Sequence, residues 1–190
     1  SLDVKANKAL KILNCYKNDL SELDVTGCTE LHTLNAARNS ISTLDVTKNT
    51  KLKQLWLAAN RLTNIDLTAN NALEKLDVSY NYLTSLDVSG KPNLDLIFAY
   101  HNGFSSSTLN AIYCQLPDRK SKTKPGEIQV AYSSADVNEV RIAQATNKAI
   151  TDAKNWKIGY NATVEAIPGI TGTHACGTPA KLTITPDKSL

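Results

Sequence analysis

The sequence predicts an α/β solenoid, a chain wound into stacked coils with a parallel β-sheet along one side. Three observations predict it: leucines recur every 21 residues, an asparagine keeps the same step, and the residues between them alternate like a short strand. Leu10, Leu31, Leu52, Leu73 and Leu94 set the period. Leu13, Leu34, Leu55, Leu76 and Ile97 follow, then Cys15, Ala36, Leu57, Val78 and Ala99. Asn18, Asn39, Asn60, Asn81 and Asn102 come next, followed by Leu20, Ile41, Leu62, Leu83 and Phe104. The first four units close with an acidic alternating segment, Leu23-Asp24-Val25-Thr26 and its equivalents at 44–47, 65–68 and 86–89.

Each column has a physical role. The L-x-L core is a strand whose alternate residues point inward. One coil cannot bury its leucines alone, and stacking buries them while pairing the strands. The asparagine sits where the chain leaves the strand. Its amide has donors and an acceptor for backbone groups that the bend leaves unpaired. A 21-residue unit leaves little room for a helix on the far side, so short extended or 3₁₀ segments are expected there. Asp24, Asp45, Asp66 and Asp87 should form a convex column about 4.8 Å apart from coil to coil, with each carboxylate solvated or hydrogen-bonded. A calcium ladder is the sharper alternative, but the glycine-rich loops of calcium-binding β-solenoids are missing.

Written as one line, the unit is L-x-x-L-x-(L/C/A/V)-x-x-N-x-(L/I/F)-x-x-(L/I)-D-(V/L)-(S/T). It resembles the leucine-rich repeat in its short form, over roughly the first 104 residues. The resemblance implies a right-handed superhelix with a concave parallel sheet. Leu2, Asp3, Val4 and Asn7 fall in phase with Leu23, Asp24, Val25 and Cys28, so the chain starts inside a repeat. It is expected to be a fragment whose cap or upstream repeats precede Ser1.

The period fails after Phe104. Ser105-Ser106-Ser107 offers an N-cap for a helix through Leu109, Ile112 and Tyr113, stopped by Pro117. A polar loop spans 118–126. Residues 127–132 alternate like a strand, 139–154 favour one helix, and Trp156-Lys157-Ile158 reads as another strand. Three regions follow: the repeat array at 1–104, helix-bearing repeats or a cap at 105–160, and a β-rich tail at 161–190. In the tail, 162–167 and 181–185 alternate around a turn-rich middle. The order helix, loop, strand, helix, Lys-Asn-Trp resembles the C-terminal part of such arrays in secreted and surface proteins of gut and oral bacteria. That resemblance implies an extracellular or cell-surface location.

Composition narrows the function. The 190 residues are 42% hydrophobic and 21% charged, with net charge +3, as in a globular chain that can bury a core. The basic residues are scattered except for Arg119, Lys120, Lys122 and Lys124, read as a solvated loop. No basic stripe suits nucleic acid. The longest apolar stretch, 94–100, contains Asp95 and is too short to span a bilayer. The opening Ser1-Leu2-Asp3 has no signal-peptide pattern. The four cysteines have no zinc-like spacing. Cys15 and Cys28 read as buried thiols, and Cys114 and Cys176 form a possible disulfide tying the tail to the cap. His32, His101 and His174 lie in unrelated settings, and no catalytic constellation, phosphate loop, cofactor or metal site is expected.

Strand alternation instead builds a variable concave face. Its columns are Ile12, Thr33, Gln54, Lys75, Leu96; Asn14, Asn35, Trp56, Asp77, Phe98; and Tyr16, Ala37, Ala58, Ser79, Tyr100. Lys17, Arg38, Ala59, Tyr80 and His101 edge the sheet. Aromatic and arginine side chains dominate binding hot spots because they combine contact area with a polar handle. The candidate ligand-contact residues are Trp56, Tyr80, Phe98, Tyr100, His101, Tyr16, Arg38 and Asp77. The plainer reading is that these rings cover the sheet ends or pack on a neighbouring segment. The expected function is a monomeric, non-enzymatic module binding a protein or a glycan, with a rigid spacer or adhesin stalk as the alternative. Only the tail leaves room for an enzyme, around a residue such as His174.

Overall fold

The computed structural model describes residues 2–132, 137–160, 170–173, 176 and 181–184. Five three-residue strands open the chain: β1 (Ile12–Asn14), β2 (Thr33–Asn35), β3 (Gln54–Trp56), β4 (Lys75–Asp77) and β5 (Leu96–Phe98). Then come α1 (Ser106–Gln115), β6 (Gly126–Ala131), α2 (Val137–Gln144), α3 (Lys148–Asp152) and β7 (Trp156–Tyr160). The strands β1 to β7 form one parallel sheet in sequence order, as in a leucine-rich-repeat-like solenoid. A separate antiparallel pair joins β8 (Ile170–Thr173) to β9 (Lys181–Ile184).

Register follows the repeat. Leu13, Leu34, Leu55, Leu76, Ile97, Ile128 and Ile158 are successive partners across the sheet. From Leu34 to Ile128 this inward column is fully buried. The other leucine columns close around it into one continuous core that runs from Val4 to Trp156.

The asparagine column bolts neighbouring coils together. Asn60 Nδ2 donates to the Leu57 carbonyl of its own coil at 3.0 Å and to the Ala36 carbonyl of the preceding coil at 2.9 Å. Its Oδ1 accepts from the Ile41 N–H at 3.0 Å. Asn39, Asn81 and Asn102 repeat the pattern. The Asn18 side chain bonds within its own coil, to the Cys15 and Tyr16 carbonyls. Just before each asparagine the backbone turns left-handed: Lys17, Arg38, Ala59, Tyr80 and His101 have φ between 52° and 57°. None is glycine, so each carries a left-handed penalty of about 1–2 kcal/mol that the coil-to-coil bonds hold in place.

On the turn side, where short extended or 3₁₀ segments are expected, the chain makes isolated i to i+3 bonds, as in Cys28 N–H to Val25 O and Leu31 N–H to Cys28 O. These bonds lie three residues apart and do not overlap, so no helix forms there. Each acidic residue of the column closes a small turn. The Thr26, Thr47 and Thr68 backbone N–H groups and hydroxyls donate to Asp24, Asp45 and Asp66, and the Ser89 N–H donates to Asp87. A second ladder lies beside them. Asn49 donates to the Val25 and Cys28 carbonyls and Asn70 to the Val46 and Asn49 carbonyls. Cys28 occupies a position in this ladder, its Sγ 3.3 Å from the Val4 carbonyl. Lys91 takes the next step, buried, with Nζ on the Ser89 carbonyl. Cys15 and Cys28 are free, buried thiols.

The C-terminal coils differ from the sequence reading in three places. The single helix expected over 139–154 is two, α2 and α3. Thr146 donates its hydroxyl back to Ala143 O, and the Asn147 side chain caps Ala149 N, so local side-chain bonds end one helix and start another. Arg119 is not part of a solvated loop. It is 7% exposed, donates from Nη1 to the Leu94 carbonyl and lies 5.9 Å from the Trp156 ring, because the buried arginine satisfies a coil carbonyl and stacks on the indole. In the tail, β9 pairs with 170–173, a segment read as turn-rich. The strand expected at 162–167 lies outside the described residues, as does His174. Helix α1 is capped by Ser105, which accepts from the Thr108 N–H at 3.1 Å, and Leu116 turns extended ahead of Pro117. A disulfide joins Cys114, in α1, to Cys176, with Cα atoms 5.4 Å apart.

Three outcomes follow for stability. Asn60→Ala strands carbonyls and an N–H of two coils and lowers the urea-unfolding free energy by about 1–3 kcal/mol, whereas Asn18→Ala, which frees carbonyls of one partly exposed coil, costs far less. Ala59→Gly relieves a left-handed residue and, net of the added unfolded-state entropy, raises stability by about 0.5–1 kcal/mol. Hydrogen bonds from Thr26 and the ion pair with Lys5 hold Asp24 down at about 2, and the Thr47, Thr68 and Ser89 donors lower Asp45, Asp66 and Asp87. These carboxyls are more acidic folded than unfolded. Their stabilisation is present above the ordinary carboxylate range and is lost as pH falls from there toward about 2. Urea midpoints measured across that window should fall, and fall less steeply in an Asp45→Ala/Asp66→Ala variant.

Candidate functional site

The outer face of the sheet carries the candidate site. Pairing places Asn14, Asn35, Trp56, Asp77, Phe98 and Gln129 in one row across six strands. Asp77 therefore stands between Trp56 and Phe98. Its Oδ1 accepts from the Ser79 N–H at 3.0 Å and the Ser79 hydroxyl at 2.6 Å. Burial pushes the Asp77 carboxyl above its ordinary value, and the Ser79 bonds oppose that shift only in part.

Beyond the strands, the left-handed turns set down a cluster of rings. Tyr80 stacks on His101 with centroids 4.2 Å apart and an interplanar angle of 27°. Tyr100 meets Tyr80 edge-on at 5.5 Å and Phe98 at 6.2 Å. Tyr132 closes the group, 5.3 Å from Tyr100, 5.9 Å from His101 and 6.1 Å from Tyr80. Tyr80 and Tyr132 are 42% and 55% exposed, so the cluster presents apolar area to solvent.

Helix α2 supports this cluster from behind. Glu139 Oε1 accepts the His101 N–H and lies 3.9 Å from His101 Nδ1. Burial pushes the Tyr100 hydroxyl up. A bond to Ser79 opposes that shift, while the charges of Asp77, Tyr132 and Glu139 add to it. Both carboxylates therefore act on the same ring.

Of the residues singled out from sequence, the structure brings together Tyr80, Phe98, Tyr100 and His101, with Asp77 beside Phe98 in the row. Trp56 is half-buried in that row, one strand beyond Asp77, and makes none of the ring contacts of the cluster. Tyr16, on the first coil, and exposed Arg38, at the same turn position as Tyr80 two coils earlier, stand outside it. Tyr132 and Glu139 were missed. Tyr132 had a signal: aligning Leu96-Ile97-Phe98 on Glu127-Ile128-Gln129 and counting on places it in the column of Tyr80 and His101. Glu139 had none, because only the fold of α2 brings it under His101.

An open cleft of about 480 Å³ adjoins the rings, lined by Asn81, Tyr82, His101, Asn102, Gly103 and Glu139. A second, of about 540 Å³, lies at the first coils between Leu2, Lys5, Glu22 and Thr43 and contains no ring. Among the described residues no group of histidine, cysteine and acidic side chains is placed to hold a metal, and no helix is long and apolar enough to cross a membrane. The arrangement offers a stacking surface with one carboxylate beside it and one behind it.

Comparison with protein-family models returns no match, and comparison with curated proteins returns none either. Among solved structures, the functional domain of InlJ from Listeria monocytogenes, described as including a cysteine ladder, is similar, with 30% identity and a TM-score of 0.59. The likeness covers 70% of this chain and 27% of that chain, so this chain matches about a quarter of its neighbour's length. With the seven-stranded parallel sheet, this likeness places the chain among leucine-rich-repeat-like solenoids.

Proposed function

We propose that the chain is a non-enzymatic binding module that takes a protein ligand on the concave face of a right-handed leucine-rich-repeat superhelix. The observation that carries this reading is the contiguous group of Tyr80, Phe98, Tyr100, His101 and Tyr132 on the outer sheet face. Rings gathered on one exposed surface mark an interaction site, where each can seat against a partner at low entropic cost. The asparagine ladder beneath holds the strands in place before a ligand arrives, which cuts the ordering cost of binding. The likeness to a bacterial domain supports a secreted or cell-surface protein of bacterial origin. The Cys114–Cys176 disulfide supports the same placement, since such bonds persist in oxidising compartments.

A second reading, a rigid spacer within a larger surface protein, is favoured by the unbroken ladder from Asn39 to Asn102. Capture separates the two. The immobilised chain is exposed to an array of extracellular proteins and a glycan array, beside Trp56→Ala/Phe98→Ala and Tyr80→Ala/Tyr132→Ala variants with unchanged circular dichroism. A binding face predicts a protein hit weakened about 30-fold or more by loss of its aromatic anchors. A hit on glycans alone would replace the protein ligand with a sugar. No hit on either array would leave the spacer.

A further inference from the structure

We infer that the ring cluster around Tyr100 receives a basic side chain, arginine or lysine, of that protein partner. This deepens the binding reading and rests on it. The first ground is geometric. Tyr80, Tyr100, His101 and Tyr132 converge with every pair of centroids between 4.2 and 6.1 Å, and the two outer tyrosines are open to solvent. The face of an aromatic ring carries negative charge density and attracts a cation placed over it.

The second ground is charge. Asp77 borders the cluster on the sheet and Glu139 lies behind it. Among the described residues neither carboxylate is within ion-pair distance of a lysine or arginine: Glu139 has His101 beside it, and five lysine–carboxylate pairs lie elsewhere. Glu139 Oε2 is buried without a hydrogen-bond partner there, so its charge acts on the rings from beneath. The negative field of the two carboxylates favours a cation over the cluster. A guanidinium meets both demands, because it stacks on tyrosine while presenting N–H groups at its edge. A neutral sugar would gain nothing from that negative field.

The test uses short peptides as probes on the whole chain. An acetylated, amidated Gly-Arg tetrad repeat is titrated calorimetrically beside the same peptide with citrulline, which keeps the shape and removes the charge, beside its lysine counterpart, and beside free choline. Arginine and lysine peptides should bind, and citrulline should bind about tenfold more weakly or not measurably. Tyr132→Ala and Asp77→Asn should each weaken the arginine peptide about three- to thirty-fold. Glu30→Gln, an equal loss of charge on another coil, should not. Equal affinity for arginine and citrulline, no binding of either cationic peptide, or an equal loss in Glu30→Gln would overturn the inference. So would choline binding more tightly than the peptides, which would move the source to a quaternary ammonium group. If array capture is lost in Trp56→Ala/Phe98→Ala while the peptides fail to discriminate, the binding face stands and this assignment falls.

Discussion

The constraint on which the structure depends is that no coil is complete by itself. A three-residue strand and two turns cannot bury five apolar side chains or satisfy their own bends. The next coil must do both. The asparagine amide is where the two requirements meet, because one side chain serves carbonyls of two coils and an N–H between them. Its reach fixes the coil length. An insertion between Leu57 and Asn60 would carry the amide off the Ala36 carbonyl, which explains why the period is kept without error from Leu10 to Asn102. The longer coils begin only after the ladder ends, where helices rather than amides fill the space behind the sheet.

A scaffold that spends its inward columns on packing leaves its outward columns unconstrained by folding. Ile12, Thr33, Gln54, Lys75 and Leu96 share a register and almost no chemistry. The left-handed turn after each strand extends this freedom to one more side chain. Lys17, Arg38 and Ala59 show that the turn accepts many residues, and Tyr80 and His101 show what it does with rings. At consecutive coils the turn lays them one above the other, at the coil spacing. The stack at 4.2 Å is therefore a property of the backbone before it is a property of the side chains.

Most of the repeat region was legible because its information is periodic. Five copies of Leu-x-x-Leu and of the asparagine average out local ambiguity, and strand registers could be counted. Past Phe104 there is one copy of everything, and local chemistry decides. Apolar spacing over 139–154 reads as one helix, and only the competing side-chain bonds of Thr146 and Asn147 divide it. Arg119 looked solvated because its neighbours are lysines, whereas its fate was set by a carbonyl 25 residues away and an indole 37 residues on. At the candidate site the rings on the coils could be placed by counting. Glu139 could not, because it arrives from a helix whose position depends on packing over α1 and β6.

The coils are held unequally along the sheet. The Asn18 side chain bonds within its own coil, and Leu10, Leu13 and Leu20 are partly covered. Toward β7 the sheet is backed by three helices, and Trp156 is buried with its indole N–H on the Pro117 carbonyl. The ring cluster lies beside these helix-backed strands, so a partner docking there would meet a surface that packing has already stiffened.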